Sequence, residues 1–174
     1  MMSSARAIIL ILALQLASYA LAQQTQKLEV GDKVPDIEMT NPDGEQIRLS
    51  DLKGHVVLLD FWASWCGPSR ASNPSIAQCV EKYTNSQSKH GDGLRVFSIS
   101  LDMTKTSWMS AIKEDRMTWV THGCDFGGFK SVAASRFGVH SIPQCYLIDG
   151  EGKVIAKNLR GEELANYLQI IFGF

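Results

Sequence analysis

Cys66 is the residue whose type and setting could do the most chemistry. It stands in Phe61-Trp62-Ala63-Ser64-Trp65-Cys66-Gly67-Pro68-Ser69, where the apolar run Val56 to Phe61 gives way to a helical pattern opened by Pro68. A thiol at a strand-to-helix junction meets unpaired backbone N–H groups and the positive end of the helix dipole, both of which favour thiolate over thiol. Pro68 has no N–H to leave unsatisfied and suits the first helical turn. Cys66 is thus placed to be a nucleophile. The alternative is a small buried apolar residue, the commoner fate of cysteine.

The elements that must hold this junction alternate strand and helix. VVLLDF (56–61) reads as a strand buried on both faces, with Asp60 the one charge inside it. A helix follows from Pro68, carrying Ile76, Ala77, Val80 and Tyr83 at helical spacing, and dissolves into the polar stretch 86–93. Leu94 to Leu101 is the next strand. Ser107 to Arg116 is a helix, Trp119 to Thr121 a short strand, Ser131 to Phe137 a short helix ending at Gly138, and Gln144 to Ile148 a strand. Val154 to Lys157 pairs with that last strand across the turn Asp149-Gly150-Glu151-Gly152. Glu162 to Phe172 closes the chain as a helix with acidic residues at its positive end. Upstream, Asn41-Pro42-Asp43-Gly44 marks the turn of a small hairpin within 35–49, and 50–54 reads as a short turn.

The other cysteines are Cys79, Cys124 and Cys145. Cys79 lies three to four helical turns from Cys66, roughly 20 Å at 1.5 Å per residue, and reads as core. Cys124 falls in the irregular stretch 123–128 and is one candidate resolving thiol. Cys145 is the other: it is two residues past Pro143, so on a strand it shares that residue's face and points toward the Cys66 side. His122 with Cys124, and His140 with Cys145, lack the spacing of structural zinc sites, so no metal or other cofactor is expected. No phosphate loop and no nucleophile elbow occurs.

Length and composition agree with one domain. The chain has 174 residues, 45% hydrophobic and 20% charged, with a net charge of −1. That excludes a disordered chain and gives no basic footprint for nucleic acid. Four cysteines are too few for a disulfide scaffold. Residues 1–22 read as a signal peptide: Arg6, the apolar run Ala7 to Leu16, then Ala20-Leu21-Ala22 as the cleavage site. The run is too short for a spanning helix, so no stable membrane span is expected after processing. The mature chain is expected outside the cytosol, in the periplasm or beyond the cell, where disulfides persist. Residues 23–33 form a polar leader, and 34–174 form the domain.

FWASWCGP resembles the active-site segment of thioredoxin-like proteins, and FWASWC resembles that of their exported TlpA/ResA-like branch. Ser141-Ile142-Pro143 with Tyr146-Leu147-Ile148-Asp149 and Gly152-Lys153-Val154-Ile155 is similar to that family's proline loop and last hairpin. The resemblance runs from about Val34 to the end. It implies an α/β thioredoxin-like fold: a central mixed sheet flanked by helices, an N-terminal hairpin extension and an inserted helical segment at about 104–129. It also implies a thiol-disulfide oxidoreductase without cofactor. Cys66 would be the attacking thiol, Asp60 the buried acid that moves protons, and Pro143 the cis-proline facing the thiol. Trp65, Gly67, Pro68 and Ile142 would line the place where substrate binds. Partners would be protein thiols or disulfides, or small thiols, with an external reductant or a membrane redox partner.

Two positions depart from that pattern. Ser69 stands where the family has its second cysteine, and Ser72 stands where it often has Glu. A dithiol reductant releases product with its second thiol. Cys66 alone performs the first half of that cycle, with a hydrogen bond from Ser69 still available to the thiolate. Three readings follow: a monothiol oxidoreductase forming mixed disulfides, a redoxin-type thiol peroxidase passing through a sulfenic acid, and a binding or scaffold module without turnover. The peroxidatic P-x-x-x-(T/S)-x-x-C frame is missing, since the stretch from Asp60 to Trp65 occupies it.

Overall fold

The structure is a computed structural model and describes residues 28–173. The expected signal peptide and residues 23–27 of the polar leader lie outside the described residues. The chain orders as β1 (Glu38–Thr40), β2 (Gln46–Arg48), a 3-10 turn (Leu49–Leu52), β3 (Val56–Trp62), α1 (Gly67–Tyr83), β4 (Gln87–Ser88), β5 (Gly91–Asp92) and β6 (Leu94–Ser100). Then come α2 (Lys105–Glu114), β7 (Thr121–Cys124), a 3-10 turn (Gly128–Lys130), α3 (Val132–Phe137), β8 (Gln144–Ile148), β9 (Val154–Lys157) and α4 (Gly161–Phe172).

Seven strands form one mixed sheet in the order β2-β1-β7-β6-β3-β8-β9. β3 is central, parallel to β6 and antiparallel to β8, and all seven of its residues are buried. Side chains alternate across a strand, so β3 feeds two cores. Val57, Leu59 and Phe61 pack with Ala133, Ala134 and Phe137 of α3. Val56 and Leu58 pack with Ile76, Cys79 and Tyr83 of α1 and with Leu164, Leu168 and Phe172 of α4. Cover on both sides is why VVLLDF runs apolar except at Asp60.

The N-terminal hairpin forms as expected. Its turn is tied by Asn41, whose Oδ1 accepts from the Asp43 and Glu45 N–H groups at 3.0 and 2.8 Å. The leader is stitched to the domain from residue 28 onward: Gly31 N–H donates to Val154 O at 2.8 Å and Val34 N–H to Gly152 O at 2.9 Å.

Three elements differ from the sequence expectation. The short strand expected at Trp119 to Thr121 lies at Thr121–Cys124, the stretch that pairs with Phe97 to Ser100 of β6; before it the chain turns out of α2, with Arg116 at φ 54° and the bonds Met117 N–H to Ile112 O and Thr118 N–H to Arg116 O. Cys124 therefore ends a strand instead of sitting in an irregular stretch. The inserted segment is helical only over Lys105–Glu114; its remainder supplies β7, parallel to β6. Within the polar stretch 86–93, β4 and β5 pair as two-residue strands, too short to leave a period in the sequence.

Candidate functional site

Cys66 is the N-cap of α1, with extended backbone (φ −90°, ψ 91°). Its N–H donates to Ala63 O at 3.0 Å and its carbonyl accepts from Arg70 N–H at 3.1 Å, which starts the helix. Ser69, buried in the first turn, donates from Oγ to Cys66 Sγ at 3.1 Å. Cys66 itself is 6% exposed, a narrow window rather than an open thiol. Ile142 packs against the buried group that holds Cys66 together with Phe61, Ala63, Ala133 and Ala134. The Ile142–Pro143 peptide bond is cis.

Trp65, beside the thiol in sequence, is 59% exposed. Its ring lies 6.2 Å from that of Phe129, itself 46% exposed. Met103 and Val132 are exposed as well. Around Gly67 the space is open: nothing lies within 4 Å of where a Cβ would stand. Pro68 occupies the first turn of α1, where it sacrifices no helical hydrogen bond.

The loop leading to the thiol is fixed by Ser64. Asp102, buried just past the end of β6, accepts from Ser64 N–H at 2.9 Å, from Ser64 Oγ at 2.5 Å and from Ser100 Oγ at 2.7 Å. On the other side Arg70 Nη1 reaches Ser64 O at 3.4 Å. Arg70 is held in turn by Asp115, with contacts from 2.6 to 3.2 Å, and by Glu114 at 2.9 Å. Motif reading missed Ser64, Arg70 and Asp102. No local pattern marks the pairing: β3 and β6 run parallel with Trp62 level with Ser100, and it is this register that brings the residues two further along each chain side by side.

Asp60 is buried in β3, in register with Ser98 of β6 and Cys145 of β8. Burial pushes its carboxyl up to about 6, and the nearby Arg160 guanidinium pulls the other way. The two charged groups lie 3.9 Å apart.

The structure does not bring either candidate resolving thiol to Cys66. Cys145 packs on the α1 and α4 side with Leu58 and Leu147, and its thiol donates to Leu159 O at 3.3 Å. Burial, reinforced by the Asp60 charge, pushes that thiol up to about 12. Pro143 lies before β8, so the strand-face rule does not reach it, and Cys145 is not aimed at Cys66, which packs in the other core. Cys124 is sealed among Trp62, Trp108, Ala111 and Met117, and burial raises its thiol. Cys79 is core on α1, as expected, and is raised by burial as well. All four cysteines are free and buried.

Among the described residues no helix is long and apolar enough to cross a membrane. The AhpC/TSA family model matches residues 30–157. The chain is 28% identical over 168 residues to the thiol-disulfide oxidoreductase ResA of Bacillus thuringiensis subsp. konkukian, covering 94% of this chain and 91% of that one. Its fold superposes on the C-terminal domain of a candidate thiol-disulfide oxidoreductase from Bacteroides thetaiotaomicron with a TM-score of 0.74 and 36% identity, covering 84% of this chain and 98% of the other. A thiol-disulfide oxidoreductase from Bacteroides fragilis gives a TM-score of 0.71 at 30% identity, over 80% and 98%. A central β3 ending at a cysteine-capped helix, a cis-proline loop and these likenesses agree: the chain belongs to the AhpC/TSA family, as a ResA-like member with the thioredoxin fold.

Proposed function

We propose that this protein is an exported thiol-disulfide oxidoreductase that works through the single nucleophile Cys66. The observation that carries this reading is the Ser69 hydroxyl donating to Cys66 Sγ at 3.1 Å at the opening of α1. That hydrogen bond orients the sulfur at the N-terminus of α1, where a substrate disulfide would meet it.

The step balances as thiol exchange. The Cys66 thiolate attacks one sulfur of a substrate disulfide. The substrate S–S bond breaks, a Cys66–substrate disulfide forms, and the other substrate sulfur leaves as thiolate and takes up a proton. An external thiol, after losing its proton, then attacks the substrate sulfur of the mixed disulfide, which releases the Cys66 thiolate and leaves a disulfide between the external thiol and the substrate; a second external thiol attacks that bond and frees the second substrate thiol, the two external thiols ending as their own disulfide. Two such thiols are oxidised for each substrate disulfide reduced. Ser69 has no sulfur to perform the second attack, and Cys124 and Cys145 are packed elsewhere. The exposed Trp65 and Phe129 rings, with Gly67, Pro68 and Ile142, suit the flank of a partner polypeptide. Asp60 serves as the buried acid of the site. Export is supported by the Arg6 to Ala22 sequence pattern.

Reaction with a mixed-disulfide probe tests the proposal. The native chain should form one adduct, on Cys66, and Cys66→Ser should form none. Hydrogen peroxide consumption by the native chain that is lost in Cys66→Ser would instead favour the peroxidase reading. Neither reaction at Cys66 would leave a binding module.

A further inference from the structure

We propose that Arg160 is a positioning residue of this site, supplying the countercharge that the buried Asp60 carboxylate needs in order to ionise. Asp60 Oδ1 and Arg160 Nη2 are both buried and both lack a hydrogen-bond partner. They belong to side chains that face one another, Nη1 standing 3.9 Å from Oδ1. A buried carboxylate without a compensating charge is costly enough that it takes up a proton instead. Arg160 keeps the ionised form accessible without a closed bidentate pair that would fix it.

Hydrogen bonds to Cys145 hold this arrangement in place. Arg160 is the extended residue capping α4, at φ −144° and ψ 155°. The two residues before it are fastened to Cys145: Asn158 N–H donates to Cys145 O at 2.9 Å, Cys145 N–H donates to Asn158 Oδ1 at 3.2 Å, and the Cys145 thiol donates to Leu159 O at 3.3 Å. Asn158 adopts the left-handed conformation, φ 57°, that lets the chain double back in this way. Cys145 is in turn level with Asp60 across β3 and β8. The thiol that does not resolve Cys66 thus registers the 158–160 turn, so that Arg160 comes over Asp60.

The groups facing Asp60 are few. β8 presents Cys145, whose thiol is held neutral, β6 presents the uncharged Ser98, and the start of α4 presents Arg160. The cation nearest the thiol along α1, Arg70, is tied to Asp115 and Glu114. Among the described residues, Arg160 is the cation paired with Asp60.

The functional arm of the test rests on the thiol reading above; the titration arm does not. The full chain, labelled with ¹³C at aspartate carboxyls and assigned with Asp60→Asn, is titrated by NMR from pH 4 to 9 as native protein, Arg160→Met, Arg160→Gln and Arg160→Lys. An opposite charge at this range moves a carboxyl by about one unit or more. The Met and Gln variants should therefore titrate Asp60 at least about one pH unit higher, and Lys should restore most of the native midpoint. A folded Met or Gln variant with an unchanged midpoint overturns the proposal. A variant that folds at pH 5 but not at pH 8 supports it, since a protonated Asp60 needs no countercharge, and one unfolded at both counts against it. In parallel, the rate of mixed-disulfide formation at Cys66 is followed against pH. Its acid limb should move with the Asp60 midpoint, a change that general loosening of the fold would not produce. If Asp60 shifts and the rate profile does not follow, Arg160 is the countercharge of Asp60 but neither residue serves the thiol reaction, and the positioning role is overturned.

Discussion

Ser69 Oγ stands 3.1 Å from Cys66 Sγ, one turn into the helix that Cys66 caps. A sulfur in place of that oxygen would lie where a disulfide can close with little movement of the backbone. Ser69→Cys should therefore convert the chain from a monothiol into a dithiol reductant. Insulin reduction with dithiothreitol should rise by about ten-fold or more, because release becomes intramolecular. A native protein already as fast as the variant would mean that release does not depend on this position.

Asp60 makes stability depend on pH. Its folded carboxyl titrates at about 6 against an ordinary 3.8. The folded state binds this proton more tightly, so the group's contribution is fully present below pH 3.8 and is lost as pH rises through about 6. The whole span is on the order of 3 kcal/mol at most. Comparing urea unfolding of the native chain with that of Asp60→Asn at pH 4 and at pH 8, the balance should move toward the variant by about 1–3 kcal/mol at the higher pH. A difference independent of pH would contradict the burial of an ionisable carboxyl here.

Asp102 accepts three hydrogen bonds, two of them from Ser64, and is itself buried. Asp102→Ala leaves the Ser64 N–H and hydroxyl without this partner and should cost about 2–4 kcal/mol in urea unfolding. Asp102→Asn keeps one acceptor and should cost less. Equal stability of the alanine variant would show that the loop before Cys66 is not held from β6.

The site was legible where chemistry follows local sequence. Cys66, Gly67 and Pro68 mark a strand-to-helix junction in any fold, and VVLLDF marks a strand covered on both sides. What stayed hidden depends on which strands become neighbours. Ser64 meets Asp102 because β3 and β6 end level, and Arg160 meets Asp60 because β8 pairs with β3 and carries the 158–160 turn with it. Cys145 shows the limit of a local face rule: Pro143 precedes the strand, so parity with it does not predict which core receives the Cys145 side chain. Cys124 was misplaced for a related reason. Thr121–Cys124 is a strand only because β6 lies beside it, and four residues ending in Gly-Cys carry no period of their own.

Peptide mapping of the native full chain after incubation with 2-hydroxyethyl disulfide at pH 7.5 tests the central claim most directly. Nucleophilic attack by one thiol predicts a single mercaptoethanol adduct on Cys66, absent from Cys66→Ser and unchanged in Cys145→Ser and Cys124→Ser. An adduct on another cysteine of the folded chain, or an unmodified Cys66, would contradict it.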